Sequence, residues 1–356
     1  MAPKYQFIAD SLRREIEEGR YDGGERLPTE QLLCQRYQIS RQTVRRALSV
    51  LEGEGLIDRR QGSGSRLREP AAPKPLPPRC SIAVVTTYIS DYIFPSILRG
   101  MERVLTANGS APLLFATQNQ ISTERKILHT LLAMRDLDGV LVEGSKTALP
   151  NPNLDLYQKL LDQGVRLVFF NGTYSELSSC PSVLADDFGG GKQLVTYLYG
   201  KGHRNIAGIF KNDDMQGTQR YAGYIQEQRA LDLALEDNQT WWYNTETRQS
   251  FRTEAALDSI LENFRGCSAI VCYNDEVAIR VITHLKKRNI DVPGEMAVVS
   301  FDNSQYSELA PVHITSLSHE TQNLGELAAE LMLRLLQGER CQSEVVPWSL
   351  EEKESG

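Results

Sequence analysis

Two groups of polar residues have types and spacings suited to binding chemistry, and the first lies near the N-terminus. Residues 40–65, SRQTVRRALSVLEGEGLIDRRQGSGS, contain five arginines. At about 100° per residue, one face of a helix in this segment carries Arg41, Gln42, Arg45 and Arg46, and the opposite face carries Val44, Ala47, Leu48 and Leu51. Arginine can bind guanine and glutamine can bind adenine in bidentate fashion. The first face therefore has the chemistry of major-groove recognition, and a solvated basic face is the alternative.

The second group is spread along the rest of the chain, where its members come after the ends of six apolar segments. Ligands of open α/β sheets bind at the carboxyl ends of strands, where the sequence places Tyr92, Phe94, Glu143, Lys146, Asn171, Gln216, Arg220, Asn274 and Asp302. Carboxylate, amide and guanidinium groups suit a polyhydroxylated ligand, and an aromatic ring, for which Trp242 is a further candidate, can cover its apolar side. Ordinary roles stay open: Asn274 as a helix cap, Asp302 as a turn former and Arg220 as a surface residue.

The charge of the chain is divided between two parts. Residues 1–79 hold 15 Lys and Arg against 11 Asp and Glu, a net charge of +4, whereas the whole 356-residue chain has −7. The segment EPAAPKPLPPRC (69–80) has five prolines in twelve residues, which favours an extended, semi-rigid linker. The expected organisation is a small basic unit that binds nucleic acid, joined to a larger acidic unit.

Three helical patterns and a hairpin position the arginines of the basic unit. Apolar residues from Tyr5 to Ile16 have helical spacing, and a second helix starts after Thr29. A third helix runs from a cap at Ser40 to about Glu52. Between the β-prone segments LIDRR and SRL, the sequence QGSG predicts a hairpin turn. A helix-turn-helix followed by a basic hairpin is more specific for DNA than any single arginine.

The acidic unit alternates apolar strands with helical stretches. The strand candidates are IAVVTT, APLLFA, DGVLVE, VRLVFF, NIAGIF, SAIVCY and MAVVSF. Near-continuous apolar strands separated by helices predict parallel sheets covered on both faces. About 275 residues is long for one such sheet, so two subdomains are expected.

Several kinds of protein are disfavoured by what the sequence lacks. No apolar run reaches the ~18 residues of a membrane span, and the N-terminus lacks the apolar core of a signal peptide, so a cytoplasmic protein is expected. The six cysteines are scattered without zinc-ligand spacing. The segment DDFGGGKQ lacks the pattern of a phosphate-binding loop and is expected to start a helix. Neither a metal, a cofactor nor an enzymatic activity is expected.

The stretch RLPTEQLLCQRYQISRQTVRRALSVLEGEGLIDRRQGSGSRL resembles the winged-helix domain of the GntR family of bacterial transcription regulators, and the resemblance covers residues 4–68. The LPTE start, S-R-x-T-V-R, L-E-x-E-G-L-I and Q-G-x-G-S match the family pattern. The resemblance implies DNA contacts by Lys4, Ser40, Arg41, Gln42, Thr43, Arg45 and Arg46, with Gln61 and Gly62 entering the adjacent minor groove. Gln31 stands where many members have a phosphate-binding arginine, which implies a different contact there.

The segment SAIVCYNDEVAIRVITHLKKRNIDVPGEMAVVSFDNSQYSELAPVHITSLSH resembles the effector domain of the LacI/GalR family, and LDGVLVEG, YGKGHRNIAGIF and RYAGYIQ match in the same order. The resemblance covers about 81–350. It implies two Rossmann-like lobes with three crossovers, as in periplasmic binding proteins, an effector in the cleft and a homodimer. It implies hydroxyl-binding roles for Arg220, Asn274 and Asp302, and it extends the site to Glu143, Gln216, Trp242, Asn171, where many relatives have Asp, and the hinge-side His319.

The expected architecture is therefore a winged helix-turn-helix domain, mainly α with a small β wing, a linker, and a two-lobed α/β domain. The domain bounds are 1–68, 69–80 and 81–356. Lobe 1 is expected to comprise 81–183 and 319–337, and lobe 2 to comprise 184–318 and 338–350.

The expected function is transcriptional repression of sugar-utilisation genes by a homodimer on palindromic double-stranded operator DNA, with release by a monosaccharide. The pairing of these two domains, with YIFPSILRG and CYNDEVAI, is similar to arabinose-responsive regulators and implies L-arabinose as the effector. Another pentose, a hexose or a purine remains an alternative, because specificity depends on few contacts. A sugar-binding transport component has no use for residues 1–68, and a sugar-modifying enzyme would need a catalytic motif that the sequence lacks.

Overall fold

The computed structural model describes residues 4–17, 21, 27–53, 56–60, 64–67, 80–249, 253–319 and 323–356. The chain divides into two units, Met1–Pro75 and Leu76–Gly356. This division falls within the linker predicted at 69–80, of which only Cys80 is among the described residues. No helix in the described part of the chain is long and apolar enough to cross a membrane.

Three helices and a two-stranded sheet form the first unit. They are α1 (Lys4–Glu17), α2 (Glu30–Tyr37), α3 (Arg41–Gly53), β1 (Ile57–Arg60) and β2 (Gly64–Leu67), and the two strands are antiparallel. Both predicted caps are present, because Thr29 Oγ1 accepts from Leu32 N and Ser40 Oγ accepts from Thr43 N, each at 3.3 Å. Gln38 ends α2 in the left-handed conformation, with φ 52°, and the turn that follows leads directly into α3.

The apolar face of α3 is buried as its periodicity predicts. Val44, Ala47, Leu48 and Leu51 are at most 1% exposed and pack in one cluster with α1, α2 and β1. Burial of an aliphatic side chain of this size stabilises a fold by about 1.5–3 kcal/mol. The orientation of α3 is therefore determined by its core, and the arginine face remains outward.

The second unit begins with the following elements. They are β3 (Ile82–Thr86), α4 (Phe94–Ala107), β4 (Leu113–Ala116), α5 (Ile121–Leu132), β5 (Gly139–Val142), α6 (Leu154–Asp162), β6 (Arg166–Phe170), β7 (Ser182–Ala185), α7 (Asp187–Gly200), β8 (Ile206–Lys211) and α8 (Met215–Ala230). The remaining elements are β9 (Thr240–Tyr243), α9 (Glu254–Asn263), β10 (Ala269–Cys272), α10 (Asp275–Lys287), β11 (Ala297–Phe301), α11 (Gln305–Leu309), β12 (Thr315–Ser318), α12 (Leu324–Leu336), β13 (Glu344–Val346) and β14 (Ser349–Glu351).

These elements build two six-stranded sheets, one in each lobe. The first lobe has the strand order β13-β7-β6-β5-β3-β4 and is parallel throughout. The second lobe has the order β14-β12-β11-β10-β8-β9, in which only β14 is antiparallel to its neighbour. Separate apolar clusters lie on the two faces of each sheet. The predicted parallel sheets with both faces covered are confirmed, and each of the seven strand candidates forms a strand.

The chain crosses between the lobes three times, after β7, after β12 and after β13. Residues 338–350 were expected in the second lobe, and this expectation is wrong in part. Strand β13 pairs with β7 in the first lobe, and only β14 joins the second lobe. The sequence of this segment has too few apolar residues to show which sheet it completes, because edge strands are only half buried.

Glycines allow the close approach of α7 and α8. A Cβ on Gly191 would lie 2.1 Å from the Arg220 carbonyl oxygen, and a Cβ on Gly223 would lie 1.9 Å from that of Phe188. The predicted helix start is confirmed, because Asp186 caps α7 by accepting from Gly189 N at 2.9 Å. This packing places Arg220 of α8 beside Asp187, the first residue of α7.

Candidate DNA-binding surface and effector cleft

The outward face of α3 carries the residues predicted to contact DNA. The side chains of Arg41 and Arg45 are 70% and 58% exposed, and Gln31, Ser40, Gln42 and Arg46 are also exposed. Thr43 is half-buried, and its Oγ1 lies 2.8 Å from Ser40 Oγ. The face therefore presents guanidinium and amide groups to solvent from one side of a helix with a buried opposite side.

Glu30, which the sequence analysis did not include, holds two of these arginines. Its carboxylate accepts from Arg41 Nε at 2.8 Å and from Arg45 Nε at 3.1 Å. The hydrogen bond from Arg41 lowers the pKa of the Glu30 carboxyl below its ordinary value. Glu30 is the first residue of α2 in the LPTE segment, so helix α2 orients the arginines of α3 through one carboxylate.

Other predicted DNA contacts have different surroundings. The Arg46 guanidinium lies 4.4 Å from the ring centroid of Tyr5 in α1, which is a cation–π contact. Lys4 begins α1, and Gln61 and Gly62 lie outside the described residues.

In the second unit, Arg220 is the central polar group between the lobes. It is 1% exposed, and it donates to Asp187 Oδ1 at 2.8 Å, to the Tyr273 carbonyl oxygen at 2.5 Å and to Asp302 Oδ1 at 3.3 Å. The guanidinium also lies 4.2 Å from the ring centroid of Phe301. The surface role left open for Arg220 is excluded, and the residue orients the Asp302 carboxylate towards the cleft.

The first lobe contributes a carboxylate and an amide. Glu143 accepts from Thr86 Oγ1 at 3.0 Å, from Thr87 N at 2.7 Å and from Asn171 Nδ2 at 3.0 Å. Burial raises the pKa of Glu143 above its ordinary value, although these hydrogen bonds favour the charged form. Asn171 is in the left-handed region, with φ 59°. Its Oδ1 is buried and has no hydrogen-bond partner among the residues described, so it offers an acceptor to a bound molecule.

Tyr92 reaches from the first lobe to the second. Its hydroxyl donates to Asp302 Oδ2 at 2.7 Å and accepts from Asp275 N at 3.2 Å. Burial and nearby carboxylates raise the pKa of Tyr92 above its ordinary value, which keeps the hydroxyl protonated. Asn274 does cap α10, by accepting from Val277 N at 3.1 Å, and it also lines the cleft.

The cleft consists of two adjoining compartments, of about 80 Å³ and about 660 Å³. Both are lined by Tyr92, Asn171, Gln216, Arg220 and Asp302. Phe94, Glu143 and Asn274 line only the smaller compartment. His319 lines only the larger one, where its ring stacks 3.7 Å from that of Trp348 and burial lowers its pKa.

Two residues predicted for this site lie elsewhere. Lys146 Nζ lies 2.5 Å from Glu246 Oε1 and lines neither compartment. Trp242 packs against Tyr221, with ring centroids 4.6 Å apart, on the face of the sheet covered by helix α8. Side chains alternate along a strand, so the next residue, Tyr243, lines the cleft instead.

The cleft also includes residues that the sequence analysis missed. Lys211 is buried, with Nζ 2.7 Å from Asp214 Oδ2, which also accepts from Tyr273 Oη at 2.8 Å. Burial disfavours the charged form of Lys211, but Asp213 and Asp214 raise its pKa above the ordinary value. Lys211 is the last residue of β8, and Asp214 lies in the loop that follows it. Their position at the carboxyl end of a strand was the signal that could have identified them.

A separate set of hydrogen bonds joins the lobes beside Lys146. Asn119 of the first lobe donates through Nδ2 to Thr245 Oγ1 at 2.6 Å, and its Oδ1 accepts from Lys146 N at 2.8 Å. Thr147 Oγ1 accepts from Met215 N at 2.9 Å. Lys146 therefore contributes to contacts between the lobes rather than to the lining of the cleft.

The two units match two different families. Residues 4–67 match the bacterial regulatory proteins of the gntR family, and residues 195–355 match the periplasmic binding protein-like domain. The arabinose metabolism transcriptional repressor of Halalkalibacterium halodurans is 36% identical over 96% of this chain and 91% of its own length. The repressor of the same name from Geobacillus stearothermophilus is 35% identical over 94% of this chain and 92% of its own.

Solved structures share the fold at lower sequence identity. The transcription regulator CcpA of Lactococcus lactis has a TM-score of 0.68 at 22% identity, over 78% of this chain and 99% of that one. A complex of the transcriptional regulator CelR with cellobiose has a TM-score of 0.68 at 23% identity, over 90% and 92% of the two chains. These likenesses support the two-lobed α/β fold.

Proposed function

The chain belongs to the family of arabinose metabolism transcriptional repressors, and from this membership we propose that its effector is L-arabinose and that it binds a palindromic operator as a homodimer. The protein is a DNA-binding transcriptional repressor with a sugar effector domain. It belongs to a family of regulators, not of enzymes.

The observation that carries the sugar assignment is the convergence of oriented acceptors from both lobes on one cleft. Asp302 is held by Arg220 in the second lobe, and Asn171 and Glu143 face the cleft from the first. A monosaccharide that donates hydroxyls to both sides stabilises one relative position of the lobes. The effector thereby changes operator affinity through a coupling free energy of typically ~1–3 kcal/mol.

The proposed DNA contacts lie on the exposed face of α3. Arg41 and Arg45 can exchange Glu30 for phosphate oxygens or base edges, because an ion pair between exposed groups is weak. The acidic second unit repels DNA and favours contact through the basic unit alone.

Self-association gives the repressor the two-fold symmetry of a palindrome. An exposed apolar strand supports this part of the proposal, since Leu113 and Leu114 of edge strand β4 remain 41% and 46% exposed. Light scattering should give the mass of a dimer, and Leu114→Glu should shift it towards the monomer. A monomeric wild-type protein that binds the operator tightly would contradict the dimer.

A mobility-shift assay tests the effector. The full-length protein is used to enrich a duplex from a random-sequence library, and the shift is then measured with and without L-arabinose. We expect arabinose to release the duplex, and D-xylose and D-glucose to do so only at much higher concentration. Binding unaffected by arabinose at any concentration overturns the effector assignment, and Arg41→Ala serves as a variant that should bind arabinose normally but DNA more weakly.

A further inference from the structure

Tyr92 occupies the position in the cleft where a sugar hydroxyl would be recognised. It lies in the loop that follows β3 of the first lobe, yet its hydroxyl contacts the second lobe at Asp302 Oδ2 (2.7 Å) and Asp275 N (3.2 Å). Its ring stacks on Tyr306 of α11, with centroids 5.8 Å apart and planes 12° apart. A neutral hydroxyl that donates to a carboxylate and accepts from an amide has the bonding pattern of a bound monosaccharide hydroxyl.

The Asp302 carboxylate has a partner at each oxygen. Oδ1 accepts from Arg220, which cannot leave because it is also bound to Asp187 and the Tyr273 carbonyl oxygen. Oδ2 accepts from Tyr92, whose side chain belongs to a loop of the other lobe. Of the two partners, Tyr92 is therefore the one that an incoming hydroxyl can replace.

The backbone of Tyr92 also favours its release. Its φ is 56°, in the left-handed region that bulky residues seldom adopt. Such a conformation persists only where surrounding contacts maintain it. The stacking on Tyr306 and the hydrogen bonds of the hydroxyl, which also lies 3.4 Å from the Phe301 carbonyl oxygen, are contacts of this kind. Loss of the bond to Asp302 allows the loop to relax.

The space in the cleft leads to the same conclusion. The smaller compartment has a volume of about 80 Å³, whereas a cavity of roughly 150 Å³ is known to hold benzene. A pentose has about ten non-hydrogen atoms, more than benzene, so the smaller compartment by itself does not hold one. Tyr92 lines both compartments, so displacement of its ring would enlarge the space beside Asp302.

We propose that Tyr92 is an internal competitor of the effector: its hydroxyl occupies Asp302 in the sugar-free repressor, and a hydroxyl of the monosaccharide replaces it. This inference rests on the proposed sugar-binding function. It makes Tyr92 a residue that sets the effector concentration at which the repressor responds.

Calorimetric titration of the full-length protein with L-arabinose tests this role. Tyr92→Phe removes the competing hydroxyl and retains the ring, so we expect arabinose to bind about three- to tenfold more tightly than to the wild type. Release of the DNA duplex should then require correspondingly less arabinose. Tyr92→Met removes the hydroxyl with an unbranched apolar side chain, and it should shift the affinity in the same direction if the Phe variant folds poorly.

Tyr224→Phe is the matched control. Its hydroxyl donates to the Ile206 carbonyl oxygen at 2.7 Å, is buried, and lies outside the cleft, so this variant should bind arabinose as the wild type does. Unchanged or weaker binding in Tyr92→Phe overturns the competitor role while leaving the effector assignment intact. No binding of arabinose to the wild type overturns the effector assignment, and the competitor role with it.

Discussion

Arginines bound to carboxylates occur in both units of this protein, in opposite surroundings. In the first unit Arg41 and Arg45 share Glu30 and keep 70% and 58% of their side chains exposed. In the second unit Arg220 is 1% exposed and is held by two carboxylates and a backbone carbonyl. The carboxylate partner of the arginine can be exchanged for another group in the first unit, but it stays bound in the second.

Exposure to solvent determines whether the partner of an ion pair can be replaced. An exposed pair contributes about 0–1 kcal/mol, because water solvates both partners nearly as well. DNA phosphates can therefore take over Arg41 and Arg45 at little cost. Removing one partner of a buried pair leaves a charge without solvation, so Arg220 stays in place and serves to orient Asp302.

The largest expected effect comes from Arg220→Ala. It leaves Asp187 and Asp302 buried without their cation, and we expect the free energy of unfolding of the second unit to fall by about 3–5 kcal/mol. Urea unfolding monitored by circular dichroism measures this loss. A loss below 1 kcal/mol would show that Arg220 behaves like the surface arginines.

Arg41→Ala should have the next largest effect, on DNA and not on stability. Operator affinity should fall by about 1–3 kcal/mol because one bidentate contact is lost, while the free energy of unfolding changes by less than ~0.5 kcal/mol. Arg103→Ala is a matched control, since Arg103 is similarly exposed, 69%, and pairs with Glu326 in the second unit. Equal losses of operator affinity in both variants would contradict the assignment of α3.

The pH dependence of stability should distinguish the two kinds of carboxylate. Burial raises the pKa of Asp187 to about 7, although the Arg220 guanidinium favours the charged form of the carboxyl. A raised pKa means that the folded protein binds a proton the unfolded chain has lost, so the contribution of Asp187 falls as pH rises from about 4 to 7. As pH rises from 5 to 7, the free energy of unfolding of Asp187→Asn should fall by on the order of 1 kcal/mol less than that of the wild type. Parallel pH profiles in urea unfolding would contradict this.

Glu30→Gln should have the smallest effect. The pKa of Glu30 is lowered by its bond to Arg41, so its contribution is present above the ordinary pKa and disappears as pH falls. We expect the first unit to lose no more than about 0.5 kcal/mol at pH 7, measured by thermal unfolding, and nothing under acidic conditions. A fall of more than 2 kcal/mol in the free energy of unfolding at pH 7 would show that the exposed Glu30 contributes as much to stability as a buried carboxylate.

Local patterns were sufficient for much of the architecture. The helical periodicity of α3 correctly separated Leu48 from Arg41, and the near-continuous apolar segments identified seven parallel strands. Strands β7 and β12 and the edge strands β9, β13 and β14 were not among the strand candidates, because short strands with polar neighbours lack a distinct period. The placement of β13 and β14 in different lobes also has no local signal. Glu344 of β13 pairs with Val183, far away in the sequence, and Ser349 of β14 pairs with Ser318, so the assembled sheet edges decide both pairings.

The candidate sites divide in the same way. Position at a strand end correctly brought Asn171, Asn274 and Asp302 into one cleft. The same rule placed Lys146 there wrongly, because a long side chain on a loop can turn towards the other lobe and bind Glu246. The contact of Tyr92 with Asp302 joins residues 210 positions apart and has no local pattern.

The kinds of binding available to this protein follow from its amino-acid sequence. It separates a basic unit with an arginine face from an acidic unit with polar strand ends, because periodicity and charge are local properties. The assembled fold decides which arginine is exposed and which is buried, and it brings Tyr92 against Asp302. Burial and partner choice depend on packing between distant segments, and burial sets the strength of every charge–charge contact.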